Sequence, residues 1–125
     1  MMKMMKSFIL AMLLAAVMAG AASAYNLNFT IYNESGWTFK QIWVSPHGAS
    51  KWNGNTDRVN VRPLRSGYNI RIDTSNSRRM RNNTGTRKWD IRVYYGDDSW
   101  HQWRDIDLSR ITQFWVDSDF DATWD

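Results

Sequence analysis

The chain offers two imidazoles for proton transfer, and they stand in different segments: His47 in "SPHGA" and His101 in "DDSWHQW". A histidine with aspartates close by can act as an acid–base pair, which singles out His101. The competing reading is a solvated ring on the polar side of a strand. The sequence supplies no more of a site, since it has no Cys, no H-E-x-x-H, no phosphate-binding glycine loop and no dinucleotide fingerprint. These residue types make an enzyme the weakest class, assign no catalytic residue and exclude disulfide and thiol chemistry.

Carboxylates are the second candidate. Asp117, Asp119 and Asp121 alternate, so a continuing strand places all three on one face, with Asp97, Asp98, Asp105 and Asp107 shortly before them. Hard oxygen ligands at that density could hold calcium, which makes these three aspartates the candidate metal site. The glycine and terminal glutamate of an EF-hand loop are missing. An acidic edge strand, charged against edge-to-edge pairing, accounts for the same residues without an ion.

The third candidate is "SNSRRMRNNTGTRKW" (75–89), where Arg78, Arg79, Arg81, Arg87 and Lys88 stand with no acid between them. Nucleic acid, an anionic polymer of a cell envelope, and an acidic protein partner could each want such a stretch. Nucleic-acid interfaces interleave aromatic rings with cations, and none precedes Trp89 here, so nucleic acid is set aside. Anionic lipid headgroups, teichoic acid and lipopolysaccharide remain, attracted by charge alone. The plainer reading is a mobile hairpin extension kept solvated by its charge, with "NNTG" at its tip.

Charge is segregated along the chain. Residues 56–92 hold ten basic and three acidic residues, whereas residues 93–125 hold two Arg and eight Asp. The two segments could meet head to tail between copies, or within one fold as cross-strand Arg–Asp pairs, the simpler arrangement.

Eight Trp provide a fourth candidate. Trp37, Trp43, Trp89 and Trp115 sit on strand patterns and are assigned to the core; Trp52, Trp103 and Trp124 are placed nearer the surface. Trp52, in "GASKWNGN", has the Asn, Gly and Lys neighbours that a sugar-stacking platform needs, which adds a glycan to the ligand classes.

Short strands must position all of these residues. Period-two alternation marks 26–33, 37–46, 58–63, 68–73, 89–95, 100–108 and 112–118, and helical periodicity is nearly absent. The expectation is all-β: one antiparallel β-sandwich of about seven strands, immunoglobulin-like. Both faces of 37–46 are apolar, so that strand is either bulged or buried on two sides. Ahead of the strands, Lys3 and Lys6 precede an apolar run (8–17) and the small residues Ala22-Ser23-Ala24. That is the pattern of a secretory signal peptide (1–24) cleaved after Ala24, leaving 25–125 as one exported domain in the periplasm or at the cell surface. The run is shorter than the ~20 residues that span a bilayer, so no transmembrane segment is expected in the mature chain.

The order "NFTIYNESG", "IWVSP", Trp52, "PLRSG" and "WDIRVYYGDDSWHQWRDIDL" resembles a bacterial family of small exported proteins. That family has an F-x-I-x-N-x-[ST]-G start, a V-S-P strand end and a W-D-I-[RK] strand. The resemblance covers nearly all of 25–125 and implies a single β-sandwich domain; its motifs are strands and turns and imply no activity. Some members carry the label "argininosuccinate lyase". A true argininosuccinate lyase is several times longer, mostly helical and tetrameric, so the label is not carried over. The basic stretch before Trp89 enlarges a loop relative to the family pattern.

Together these readings describe an exported, non-enzymatic binding or structural module of a bacterial cell envelope. It would contact anionic envelope polymers through Arg78, Arg79, Arg81, Arg87 and Lys88, with Trp52 beside them. A calcium-stabilised structural domain and a carbohydrate-binding module are the alternatives.

Overall fold

A computed structural model describes residues 27–73, 76–82 and 85–125; the expected signal peptide lies outside the described residues. Alternation builds the strands. Phe29, Ile31 and Asn33 of β1 (Phe29–Asn33) turn inward while Thr30 and Tyr32 do not. β2 (Gln41–Pro46), β3 (Asn69–Ile72), β4 (Lys88–Tyr95), β5 (Ser99–Asp107), β6 (Gln113–Val116) and β7 (Ala122–Trp124) follow. One sheet has the order β3-β1-β6-β7 and the other β2-β4-β5. A single buried cluster draws on both, with Phe29, Ile31 and Phe114 from the first and Ile42, Ile91 and Ile106 from the second. Among the described residues no helix is long and apolar enough to cross a membrane.

Four expectations need correction. The sheets are not wholly antiparallel, because β1 pairs parallel with β6 while pairing antiparallel with β3. A period of two reports which face a residue takes and is silent on strand direction. Residues 58–63 are not a strand; this segment and its end touch the sheets through two isolated bridges, Trp43 to Arg58 and Phe39 to Leu64. Between them the side chain of Asn60 replaces the ladder, accepting from Ile42 N and donating to Lys40 O and Arg62 O. A buried amide with both donors and its oxygen engaged can substitute for strand pairing. The seventh strand is instead β7, whose three residues are too few to show a period. Finally, of the four Trp assigned to the core only Trp89 lies in it. Trp37 is half exposed at 50% and edge-on to Tyr95, while Trp43 and Trp115 are part-buried. Trp103, placed nearer the surface, packs against the core.

The segment 33–37 is a built loop. Asn33, fully buried, donates Nδ2 to Trp37 O (2.7 Å) and Leu64 O (2.9 Å). Its Oδ1 accepts from Ser35 N and Ser35 Oγ. The Asn and Ser of the F-x-I-x-N-x-[ST]-G pattern are thus mutual partners, and their work is structural.

The basic stretch is also folded where it is described. Ser77 Oγ accepts from Met80 N and caps a short helix, which follows α1 (Gly54–Asp57) as α2 (Arg78–Arg81). Met80 is 1% exposed and joins the core. One apolar side chain anchors the segment, so the expectation of a wholly solvated extension does not hold. Of its "NNTG" tip, residues 83 and 84 lie outside the described residues.

A candidate binding face on the three-stranded sheet

The outer face of β2-β4-β5 brings together residues far apart in sequence. Register places Trp43, Arg92 and Gln102 in one row across the strands, and Gln41, Tyr94 and Trp100 in the next. These are the even positions of β4, whose odd positions Trp89, Ile91 and Val93 fill the core. Strand β2 buries Ile42 and Val44 on its inner side and leaves Gln41 and Trp43 half-buried on the outer one. Trp43 is covered from outside by Gly54, and a Cβ at Gly54 would meet Trp43 Cζ2 at 3.0 Å. Glycine is the residue that allows this approach.

The loop ahead of α1 returns Trp52 over the same face. Arg92 Cζ lies 4.4 Å from the Trp52 ring centroid and 4.1 Å from that of Trp100. Its guanidinium thus lies over both indole rings, each contact contributing about 0.5–2 kcal/mol. Arg92 Nε and Nη2 both donate to Gln102 Oε1, at 3.1 and 2.8 Å, and Nη1 donates to Tyr94 Oη at 3.1 Å. Trp43 extends the stack behind Trp52 at 6.3 Å and lies 4.8 Å from Tyr94. Trp100 closes the open end and is 47% exposed. Sequence reading singled out Trp52 and missed Arg92 and Trp100. Their neighbourhood follows from cross-strand register, and the only signal was the exposed-phase alternation R-x-Y and W-x-Q on two adjacent strands.

The basic residues divide by partner. Arg79 Nε is 3.1 Å from the fully buried carboxylate of Asp57, which also accepts from Asn53 N and Thr56 Oγ1. Arg87 lies 3.8 Å from Asp107, and Lys88 3.8 Å from Asp105. Arg78 and Arg81 are exposed on α2. Arg79, Arg87 and Lys88 therefore meet carboxylates of their own chain, so the segregated charge is partly matched inside the fold. A shallow depression of about 400 Å³, lined in part by Gly54, Asn55, Arg58, Asn60 and Asn76, borders α1. Its Asn60 and Asn76 amides hold the backbone, Asn76 donating to Val59 O and accepting from Asp73 N.

The two histidines are separated. His47 Nδ1 is 2.9 Å from Asp90 Oδ1, while Arg104 Nε is 3.6 Å from Oδ2. Asp90 Oδ1 also accepts from Asp105 N, where β5 carries an extra residue and Asp105 takes φ 61°. Asp90 thereby pins the bulge. Among the described residues no hydroxyl nucleophile hydrogen-bonds either imidazole. His101 is stacked 4.2 Å from Phe120 and 5.6 Å from Tyr95, and has no hydrogen-bonding partner among the described residues.

Asp117, Asp119 and Asp121 do come together, each offering a carboxylate oxygen within 4.8 Å of the others, and all are exposed. Asp117 Oδ1 already accepts from Asp119 N and Asp121 N. Between them Phe120, at φ 59°, turns its ring onto Tyr95 (4.5 Å), and its carbonyl accepts from Trp103 Nε1. The acidic loop is therefore fastened across to the second sheet.

Comparison of the chain with protein-family models, curated proteins and solved structures finds no match.

Proposed function

We propose that this chain is an exported, non-enzymatic binding module of a bacterial cell envelope, and that its ligand is a glycan lying on the outer face of β2-β4-β5. The observation that carries this reading is the Trp52–Arg92–Trp100 stack. A half-exposed indole held rigid from behind is a ready surface for the C–H face of a sugar, and a fixed ring loses little entropy on binding. Gln41 and Gln102 in the same rows, with Asn55 on α1, offer amides near that surface for hydroxyl groups. Arg78 and Arg81 add positive charge at the far end of this sheet, in keeping with an anionic envelope polymer. The fold that goes with this reading is an immunoglobulin-like β-sandwich released after Ala24.

The test is a depletion assay of residues 25–125 against isolated envelope polysaccharide at low and high salt, with Trp100→Ala and the pair Arg78→Gln/Arg81→Gln alongside. Binding that survives high salt and is lost in Trp100→Ala supports the reading. Binding lost at high salt and in the α2 pair alone moves the contact to the basic helix, because screened charge contacts behave that way. Binding by neither route overturns the proposal.

A further inference from the structure

Arg92 has more donors than its neighbours use. A guanidinium carries five N–H groups in one plane, and three are spent on Gln102 Oε1 (twice) and Tyr94 Oη. Among the described residues no acceptor takes the other two. Arg92 Cζ lies over the rings of both Trp52 and Trp100, so these indoles shield the group, and the edge carrying the two remaining N–H groups is the route for a ligand. Among the described residues no carboxylate pairs with Arg92, although Asp90 lies two residues away on the same face, where His47 and Arg104 occupy it.

We infer that the glycan bound here is acidic, with the carboxylate of a uronic acid unit seated edge-on against Arg92 while a sugar ring lies on the outer face of Trp100. This rests on the glycan reading above and specifies the sugar. A planar carboxylate matches a guanidinium edge, and such a charge-assisted pair is shorter and stronger than a hydrogen bond between neutral groups. The two indoles restrict water at the pair, which strengthens it further. Spacing also fits. Arg92 Cζ lies 4.1 Å from the Trp100 ring, and a sugar packs about 4 Å beyond the opposite face. A unit on Trp100 and the carboxylate of its neighbour can then engage together. No ring packs on that outer face among the described residues.

The experiment is calorimetric titration of residues 25–125 with uronic acid trisaccharides, namely galacturonate, glucuronate and mannuronate, each paired with its neutral methyl ester. The expected result is that at least one acid binds about tenfold or more tighter than its ester, the scale of one hydrogen bond to a charged group. Arg92→Gln should abolish that preference, and Arg92→Lys should restore only a small part of it, because the ammonium keeps the charge and lacks the fork. The pair Arg78→Gln/Arg81→Gln should leave the preference intact. Equal binding of acid and ester, with both lost in Trp100→Ala, overturns the inference and leaves the glycan reading standing. No binding of any acid or ester by the wild type overturns both. Should Arg92→Gln fail to fold, the acid-to-ester ratio of the wild type and of Arg92→Lys still decides. A preference that disappears only in the α2 pair overturns the assignment to Arg92.

Discussion

Arg79 reaches from α2 to α1 and sets its Nε 3.1 Å from Asp57 Oδ1, a carboxylate with no exposure to solvent. Arg79 itself keeps 30% of its side chain exposed. Removing Arg79 would leave a buried charge held by Asn53 N and Thr56 Oγ1 alone. Arg79→Met is expected to destabilise the domain by about 3 kcal/mol, the low end for breaking a buried pair. Arg78→Met, one residue away and exposed, should change stability by less than about 0.5 kcal/mol. Urea denaturation of both variants checks the contrast; equal midpoints would show that the pair is not holding α2 to α1.

Asn33 offers a second test. Its amide serves four backbone and hydroxyl partners inside the protein. Asn33→Ala should cost about 3 kcal/mol, since it leaves several buried polar groups without a partner. Asn33→Asp should be comparably harmful, because Trp37 O and Leu64 O would then face an acceptor. A thermal melt of either variant matching the wild type would remove this loop from the account of stability.

Gly54 positions the Trp52–Arg92–Trp100 stack indirectly. Gly54→Ala would drive a methyl group against the Trp43 ring, and forced overpacking of this kind costs about 1–3 kcal/mol. Trp43 stacks with Trp52, which in turn covers Arg92, so the shift should pass along the stack. The expected signature is an altered near-ultraviolet circular dichroism band with unchanged far-ultraviolet signal. An unchanged near-ultraviolet band would mean that α1 moves as a unit and spares the stack.

The acidic loop makes a prediction about charge. Three exposed carboxylates within 4.8 Å repel one another. In chelator and low salt, Asp119→Asn should melt above the wild type, and added sodium chloride should close the gap. Millimolar calcium separates the two readings of these residues. A rise in the wild type that is absent in Asp119→Asn assigns an ion to the loop; parallel melts assign the acids to charge repulsion at a sheet edge.

How far the sequence carried depended on what each pattern encodes. Phe29 and Ile31, or Trp89, Ile91 and Val93, reveal their face because a strand has a period of two. At Val59 and Asn60 the same alternation is present without a strand, since Val59 N keeps one bond to Ile42 O and the Asn60 side chain takes the place of the rest. Trp37 looked like core because it began an apolar run, yet β2 starts only at Gln41. The site was half legible. Trp52 stood out by its neighbours, whereas Arg92 meets Trp100 through a hairpin register that composition does not encode. The cationic stretch was conspicuous, but its count of charges concealed that Arg79, Arg87 and Lys88 have carboxylates of their own.

The parallel pairing of β1 with β6 has a kinetic consequence. Thr30 is matched with Gln113 and Asn33 with Val116, so β1 completes its hydrogen bonding only once residues 113–116 have been made. Contacts of such long sequence separation are slow to form because the intervening loop must close first. During synthesis the leading strand stays half-paired and the core stays open until residues 113–116 emerge.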